Sequence, residues 1–214
     1  MDHRGVAALI VLAFGGPFIY NRVTGAAPAM LSLPADQSGP SSGAGTLDGV
    51  WNVGTRSVVG FRAPTDALGY QGTVVGRTGK VSGSITISGS SVTTGSFTVN
   101  MASLASSNSS APKILDVSAD PTATFVLAGP ITQAGTQAGG AVQHSTATGE
   151  LTLHGTTKSI TFRVANERIG STLYVLADIP IAYAGWHISV PYGVEKSGTL
   201  EVLLGLSQGA GNRA

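Results

Sequence analysis

Few residues in this chain have the types and spacing that catalysis or metal binding requires. His144, His154 and His187 lie in three separate segments, without the i,i+2 or i,i+4 pairs that bring metal ligands together. Glu150 and Asp178 are far apart in the chain, so no pair of carboxylates for acid–base chemistry is indicated. No serine lies in a nucleophile-elbow motif, and no glycine-rich phosphate loop opens a helix. The sequence therefore predicts a protein that is not an enzyme and has no metal or cofactor.

The strongest strand pattern in the chain lies at residues 149–164. Leu151 and Leu153 alternate with polar residues, which is the period of a strand with one buried face. A turn is predicted at 155–157, and a second alternating run follows it and ends at Val164. This stretch therefore predicts a β-hairpin.

The composition also favours a β protein. The chain has 214 residues, which suits one domain with a tail. Thirty glycines and an aromatic content of 6% favour a turn-rich all-β fold over a helical one. The net charge is +1 with scattered Lys and Arg, which argues against a nucleic-acid partner. Because the chain has no cysteine, disulfides, thiolate nucleophiles and a lipidated cysteine are excluded.

Alternating patterns continue through most of residues 46–206. Loops or turns are predicted at 66–72, 132–140 and 191–198. We count eight or nine strands, which suits a small barrel or a sandwich, with the last strand closing the sheet against the first. The predicted strands are Trp51–Val53 with its continuation Val59–Phe61, Val81–Ile87, Phe97–Met101, Thr122–Leu127, Val142–Leu153, Ser159–Val164, Leu173–Ile181 and Leu200–Leu204.

The N-terminal residues 1–23 are predicted to meet a membrane. Residues 5–20 are apolar and uncharged, slightly shorter than the roughly 20 residues of a usual spanning helix. We favour an uncleaved single-pass anchor with the folded domain outside the cytoplasm. The alternatives are a signal peptide cleaved at Ala27-Pro28-Ala29, which gives a secreted or periplasmic protein, and a buried helix. Residues 24–45 are predicted to be a flexible linker and 207–214 a disordered tail.

Four short motifs occur in the order found in one known family. They are Leu47-Asp-Gly-Val-Trp-Asn-Val53, Ser57-Val-Val-Gly-Phe61, Asp120-Pro-Thr-Ala-Thr-Phe125 and Leu151-Thr-Leu-His-Gly-Thr-Thr-Lys158. The segment from Thr46 to Leu206 resembles the YceI-like family. The resemblance implies an all-β, lipocalin-like barrel of eight antiparallel strands that holds a polyisoprenoid or another long-chain lipid.

The chain departs from the family pattern at two places. Residues 102–120 are shorter and poorer in charge than the corresponding family segment, and Lys113–Val117 are the remnant of its short helix, a candidate lid. Gly185 stands where the family has an aspartate and His187 where it has a glycine, so any role of that acid is absent here.

The resemblance implies that inward side chains of the barrel contact the lipid. Each of them is equally consistent with an ordinary core residue, since buried apolar residues are the default in a folded domain. A lipid-binding interior should be an apolar tunnel of several hundred Å3, the usual size of a ligand site. The candidates are Trp51, Val59, Phe61, Ile85, Phe97, Val99, Phe125, Leu127, Phe162, Val164, Val175, Tyr183 and Trp186.

His154 and Lys158 are the candidates for the mouth of this tunnel. They flank the predicted hairpin turn, where they could meet a polar or phosphorylated head group; the alternative is that both are simply exposed turn residues. The function predicted is non-enzymatic binding or transport of a polyisoprenoid or similar lipid. Two alternatives stay open: a structural β-domain with a packed core, and a hydrolase or isomerase that acts on a bound lipid. The oligomeric state, monomer or homodimer, stays open as well.

Overall fold

The computed structural model describes residues 27–34, 46–106, 117–132 and 141–209. Eleven strands and two 3₁₀ turns, Met101–Ser103 and Tyr183–Trp186, lie in these ranges. The strands are β1 (Gly49–Val53), β2 (Val58–Ala67), β3 (Tyr70–Thr78), β4 (Val81–Ser88), β5 (Ser91–Asn100), β6 (Thr122–Leu127), β7 (Ile131–Thr132), β8 (Gln143–Leu153), β9 (Thr156–Ile169), β10 (Thr172–Ala182) and β11 (Ser197–Gln208).

Eight of these strands form a closed antiparallel barrel. Their order is β1-β4-β5-β6-β8-β9-β10-β11, and β11 pairs back with β1 through Trp51 opposite Gln208 and Val53 opposite Leu206. Within the described residues, β11 is therefore paired on both of its sides, with β10 on one side and with β1 on the other. The predicted fold, an all-β barrel of eight antiparallel strands, is confirmed, as is the pairing of the last strand with the first.

β2 and β3 form a hairpin that widens the wall beside β11. β2 pairs with residues 199–203 of β11, and β3 pairs with the other side of β2. The turn or loop predicted at 66–72 is present but shorter than expected, because β2 extends to Ala67 and β3 begins at Tyr70. Only Leu68 and Gly69 form the turn, with φ of 54° and 80°. Two positive φ values are typical of a type I′ hairpin turn, which usually carries Asn or Gly rather than leucine.

The hairpin predicted at 149–164 is present, but its turn is shorter than expected. β8 extends to Leu153 and β9 begins at Thr156, so His154 and Gly155 make the turn, with φ of 49° and 65°. The turn predicted at 191–198 ends earlier as well, since β11 begins at Ser197. That strand continues to Gln208, two residues past the predicted end of the domain.

The buried apolar side chains of the barrel separate into two clusters. One surrounds Phe61, Leu153, Tyr183 and Trp186, near the end of the barrel that carries the β8–β9 turn. The other surrounds Trp51 and lies near the opposite end. The barrel interior is therefore packed towards its two ends.

Several predicted features lie wholly or partly outside the described residues. They include the membrane segment 1–23, linker residues 35–45, the candidate lid residues 113–116, most of the 132–140 loop and tail residues 210–214. Among the residues that the structure does describe, no helix has the length and apolar character needed to cross a bilayer.

Residues 27–34 differ from the predicted linker because they contact the barrel wall. The Arg62 Nη2 donates to the Pro28 carbonyl at 2.6 Å, and the Arg77 Nη2 donates to the Ala29 carbonyl. Leu31 is half-buried. Backbone carbonyls accept both bonds, so the side-chain composition of the segment gave no sign of this contact.

Candidate functional site

A cavity of about 170 Å3 lies inside the barrel. Its few polar lining side chains include Ser145 and Asn166. Several inward side chains, including Phe125 and Phe162, are only half-buried, because they face this space instead of neighbouring side chains. The apolar lining residues are Val59, Val81, Ile85, Val92, Phe97, Val99, Met101, Leu104, Ala123, Phe125, Leu127, Ile131, Ala147, Leu151, Leu153, Phe162, Val164, Leu173, Val175, Ala177, Ile179, Leu200, Val202, Leu204 and Leu206.

The structure places nine of the predicted ligand-contacting residues on this lining. They come from β2, β4, β5, β6, β9 and β10, and their side chains converge because alternate residues of each strand point inward. The nine are Val59, Ile85, Phe97, Val99, Phe125, Leu127, Phe162, Val164 and Val175.

The side chains of Phe125 and Phe162 pack against each other at the cavity. The rings of Phe125 and Phe162 are 5.4 Å apart between centroids and meet edge to face at 67°. Gly149 on β8 leaves room for Phe125, since a Cβ there would come within 2.4 Å of the Phe125 Cζ. This glycine therefore lets the ring lie across β8.

Four of the predicted contacts lie in the packed clusters and not on the cavity. Trp51 is fully buried, and its Nε1 donates to the Leu47 carbonyl at 2.7 Å. Phe61 is 1% exposed and packs across Gly76, where a Cβ would come within 2.7 Å of the ring. Tyr183 and Trp186 belong to the cluster at the β8–β9 end. These large aromatics fill the two ends of the barrel, a role that strand alternation does not distinguish from cavity lining.

Tyr183 and Trp186 also bury polar atoms. The Tyr183 hydroxyl and the Trp186 Nε1 have no hydrogen-bond partner among the residues that the structure describes. Burial raises the pKa of Tyr183 to about 12, because the phenolate would lose its contact with water. The phenol is therefore neutral and cannot act as a base at neutral pH.

His154 and Lys158 lie at the rim beside Trp186 and do not line the cavity. The His154 Nδ1 donates to the Trp186 carbonyl at 3.2 Å, which requires the proton on Nδ1 because a carbonyl only accepts. The Lys158 Nζ is exposed and lies 5.4 Å from the centroid of the Trp186 ring. Nearby, the His187 Nδ1 is 3.1 Å from the Thr156 Oγ1. These groups form a polar collar just beyond Leu153, a residue of the cavity lining.

Behind the cavity wall lies a buried charge that the sequence analysis missed. Glu201 is 0% exposed, although its neighbours Leu200 and Val202 line the cavity. Because side chains alternate along β11, that of Glu201 points to the outer face. There Arg62 Nε lies 3.1 Å from one carboxylate oxygen, and Arg77 Nη2 lies 2.9 Å from the other. A single glutamate at a polar position of an alternating strand gives no sign of burial.

The cavity is smaller than the expected tunnel of several hundred Å3. An apolar cavity of roughly 150 Å3 is large enough to hold benzene, whereas sites for drug-sized ligands start at about 300 Å3. At about 170 Å3, the observed space takes one small apolar group or one segment of a chain. A long lipid requires the lining to move apart, or has to leave the barrel past one end.

The predicted strands also carry lining residues that are not among the candidates predicted from the sequence. Leu200, Val202 and Leu204 alternate on the predicted last strand and line the cavity. Their alternation could have identified them. Met101 continues the alternation of Phe97 and Val99 and could have been identified in the same way, whereas Leu104 follows the 3₁₀ turn and lines the cavity without any periodic signal. In the described part of the chain, no group of three or more His, Asp or Glu side chains could hold a metal ion.

Comparison with known proteins gives one family match and a set of similar folds. The model of the YceI-like domain matches residues 51–205. No curated protein matches the chain. A polyisoprenoid binding domain from Saccharophagus degradans, implicated in plant cell wall breakdown, is 13% identical with a TM-score of 0.57, over 75% of this chain and 98% of that one. Burkholderia cenocepacia BcnA is 18% identical with a TM-score of 0.58, over 73% of this chain and 99% of that one. At these identities the two structures show a shared fold.

Proposed function

This chain belongs to the YceI-like family, and from that premise we propose that its barrel binds the hydrocarbon part of a polyisoprenoid or similar long-chain lipid without chemically changing it. The observation that supports the proposal most directly is the apolar cavity between the two packed clusters. Removing apolar surface from water gains about 25 cal/mol per Å2 and needs no directional contacts. The similar domain from Saccharophagus degradans is described as polyisoprenoid binding, which supports the ligand class.

The collar at the rim supports a ligand with a polar end. A chain held in the cavity would pass Leu153 and meet the exposed Lys158 amine and the His187 ring. A cation at a rim of this kind favours a phosphorylated or otherwise anionic head group. The hydrocarbon would supply most of the affinity and the collar the orientation.

Native mass spectrometry of the full chain extracted from membranes tests this proposal. We expect a bound lipid whose mass shows whether it carries a phosphate. Ala177→Leu puts three additional carbons into the cavity from β10 and should remove the bound mass. Ala182→Leu, at the exposed end of the same strand, is the matched control and should retain it. Wild-type protein that is empty in every preparation would overturn the proposal.

A packed structural β-domain is the second candidate, and the small volume of about 170 Å3 favours it. The stability of Ala177→Leu separates the two. Filling a real void commonly stabilises a protein by about 0.5–2 kcal/mol, whereas overpacking a full core destabilises it by about 1–3 kcal/mol. We expect stabilisation in urea unfolding. A clear loss of stability together with an empty wild-type barrel would establish the packed domain.

We also propose that the protein remains anchored in the membrane by its N-terminal segment, with the barrel outside the cytoplasm. The apolar run at 5–20 supports an anchor. Cleavage after Ala29 would remove the two carbonyls that Arg62 and Arg77 bind, which favours retention of the segment. N-terminal sequencing of the protein purified from cells tests this, and a chain that begins at Met30 would establish the secreted alternative.

A further inference from the structure

Pro28 and Ala29, which follow the apolar run closely in the sequence, contact the barrel wall. The chain is fixed to the outer face of β2 and β3 at Pro28 and Ala29 by the guanidiniums of Arg62 and Arg77. Only residues 21–26 separate the apolar run from Ala27. From Tyr20 to Pro28 there are eight steps between successive Cα atoms, which cover at most about 29 Å when fully extended. An anchor in the apolar run therefore places this side of the barrel within that distance of the membrane.

The order of the two contacts gives the barrel an orientation. Arg77 on β3 pairs with Gly60 on β2. Arg62 lies two residues further along β2 and is therefore closer to the β2–β3 turn. Since Arg62 binds the earlier residue, Pro28, the chain runs back from the barrel in the direction of that turn. From Arg62 to the turn at Leu68 is a further six residues of strand, about 20 Å. The turn therefore lies within the distance that the connection to the membrane can span.

The tip of this hairpin carries exposed apolar side chains. Leu68 is 80% exposed, Tyr70 56% and Tyr192 71%. Tyr192 belongs to the same surface, because the next residue, Gly193, accepts a hydrogen bond from the Asp66 N–H at 2.8 Å. We refer to Leu68, Tyr70 and Tyr192 as the hairpin tip. It lies at the end of the barrel that also carries the polar collar.

Leu68 is an unfavourable choice for an ordinary turn. Its φ of 54° is in the left-handed region, which leucine rarely adopts, and its side chain lies in water. Asparagine or glycine would relieve both penalties. An apolar residue flanked by tyrosines is instead typical of surfaces that meet a lipid bilayer, where tyrosine places its ring in apolar surroundings and its hydroxyl at the head groups.

We propose that the hairpin tip inserts into the outer surface of the membrane that holds the N-terminal anchor, with the collar end of the barrel facing the lipid. This rests on the proposed anchor. A shallow insertion of this kind reaches about 5–10 Å into the boundary between head groups and acyl chains. It brings the rim of the cavity next to the bilayer from which a lipid would enter.

Depth-dependent quenching in the full chain tests the proposal. The chain has no cysteine, so Leu68→Cys and Ser90→Cys each carry a single environment-sensitive dye. Ser90 lies in the exposed β4–β5 turn at the opposite end of the barrel and is the matched control. In phosphatidylcholine vesicles with spin-labelled acyl chains, we expect a blue shift and quenching at position 68 and neither at position 90. Adding Tyr192→Ser to Leu68→Cys should reduce both effects.

Each other outcome overturns a specific step. Protein that does not float with the vesicles refutes the anchor, and the tip proposal fails with it. Protein that floats with position 68 in water refutes insertion of the tip but leaves the anchor in place. Equal quenching at 68 and 90 means that the barrel lies on its side. Native mass spectrometry of the same preparation reports on lipid in the cavity independently of these results.

Discussion

The wall formed by β11, β2 and β3 has two faces of opposite character. On the inner face, Leu200, Val202 and Val59 line the cavity. On the outer face, Glu201 is completely buried, and three bonds from Arg62 and Arg77 hold its carboxylate at 2.9–3.1 Å. The inner face of these strands thus borders an unfilled cavity, whereas the buried carboxylate on the outer face is fully paired with arginines.

The difference shows how a barrel can leave its centre empty. An unfilled interior loses packing contacts, which ordinarily lets a core collapse or become mobile. Here a charge network crosses three strands on the outside and fixes their spacing. Gly60 makes this possible, because it lies between Glu201 and Arg77 and has no side chain to block the arginine. Hydrogen bonds through Arg62 and Arg77 extend the network to residues 28–29.

Removing the buried charge should have the largest effect. Glu201→Gln leaves two guanidiniums without a counter-charge, and breaking a buried pair in this way costs about 3–5 kcal/mol. We expect about 3 kcal/mol, the lower end of that range, because the side chains of Arg62 and Arg77 are 17% and 23% exposed and retain some water. Urea unfolding measures the loss.

Glu150→Gln is the matched control, since Glu150 is an exposed glutamate on β8. It should change the stability by less than about 0.5 kcal/mol. If Glu201→Gln were as stable as the wild type, the outer charge network would not stabilise the wall of the barrel. The structural difference between the two faces would then not correspond to a difference in stability.

Gly60→Ala should have the next largest effect. A Cβ at this position would lie 2.1 Å from the Gly76 carbonyl oxygen and 2.8 Å from the Arg77 Cγ. The arginine has to move away from Glu201, and the backbone has to shift as well. Forcing an added methyl into a packed site costs about 1–3 kcal/mol. The change in the midpoint of urea unfolding measures it.

Gly129→Ala provides the comparison, because a Cβ there has no neighbour within 4 Å. It should leave the midpoint unchanged. An unchanged midpoint in Gly60→Ala as well would mean that Arg77 can reach Glu201 by another route, and Gly60 would then not be required for the network.

The inner face was predictable from the sequence and the outer face was not. Alternation along β5, β6 and β9 places Phe97, Phe125 and Phe162 on one side of the sheet, and the structure places all three on the cavity. A period of two residues shows which side chains share the inner face of the sheet, but not whether they face a cavity or a packed core. It therefore could not separate these phenylalanines from Trp51 and Phe61, which fill the ends.

The outer network depends on contacts between distant parts of the chain. Glu201 is 139 residues from Arg62 and 124 from Arg77, and only the register of three strands brings them together. The length of the β2–β3 turn was not predictable for a related reason. The predicted turn or loop spans 66–72, and only the pairing of β2 with β3 limits it to Leu68 and Gly69. Which strands become neighbours depends on how the barrel closes, and no local sequence pattern indicates this.

The smallest expected effect lies at the edge of the same network. Asp178 is opposite Glu201 on β10, and its pKa is raised by desolvation first and by the Glu201 charge second, against a smaller lowering by Arg62. The folded protein therefore binds this proton more tightly than the unfolded chain does. Above the unfolded carboxyl pKa of about 3.9, ionisation of Asp178 opposes folding. Asp178→Asn should raise stability at pH 7 by no more than about 0.5 kcal/mol, since the group is exposed.

The pH dependence of that gain identifies its cause. As the pH falls towards the unfolded pKa, Asp178 becomes protonated in the wild type and the advantage of Asp178→Asn should disappear. Asp48 should show the opposite pH dependence of stability, because hydrogen bonds from the Thr46 hydroxyl and, second, from the Gly89 N–H lower its pKa. Asp48→Asn should therefore lose stability at pH 7, and less as the pH falls. If the gain in Asp178→Asn persisted at low pH, it would not come from the loss of a charge. It would then point to altered strand pairing between β10 and β11, and the charge of Glu201 would act only on its two arginines.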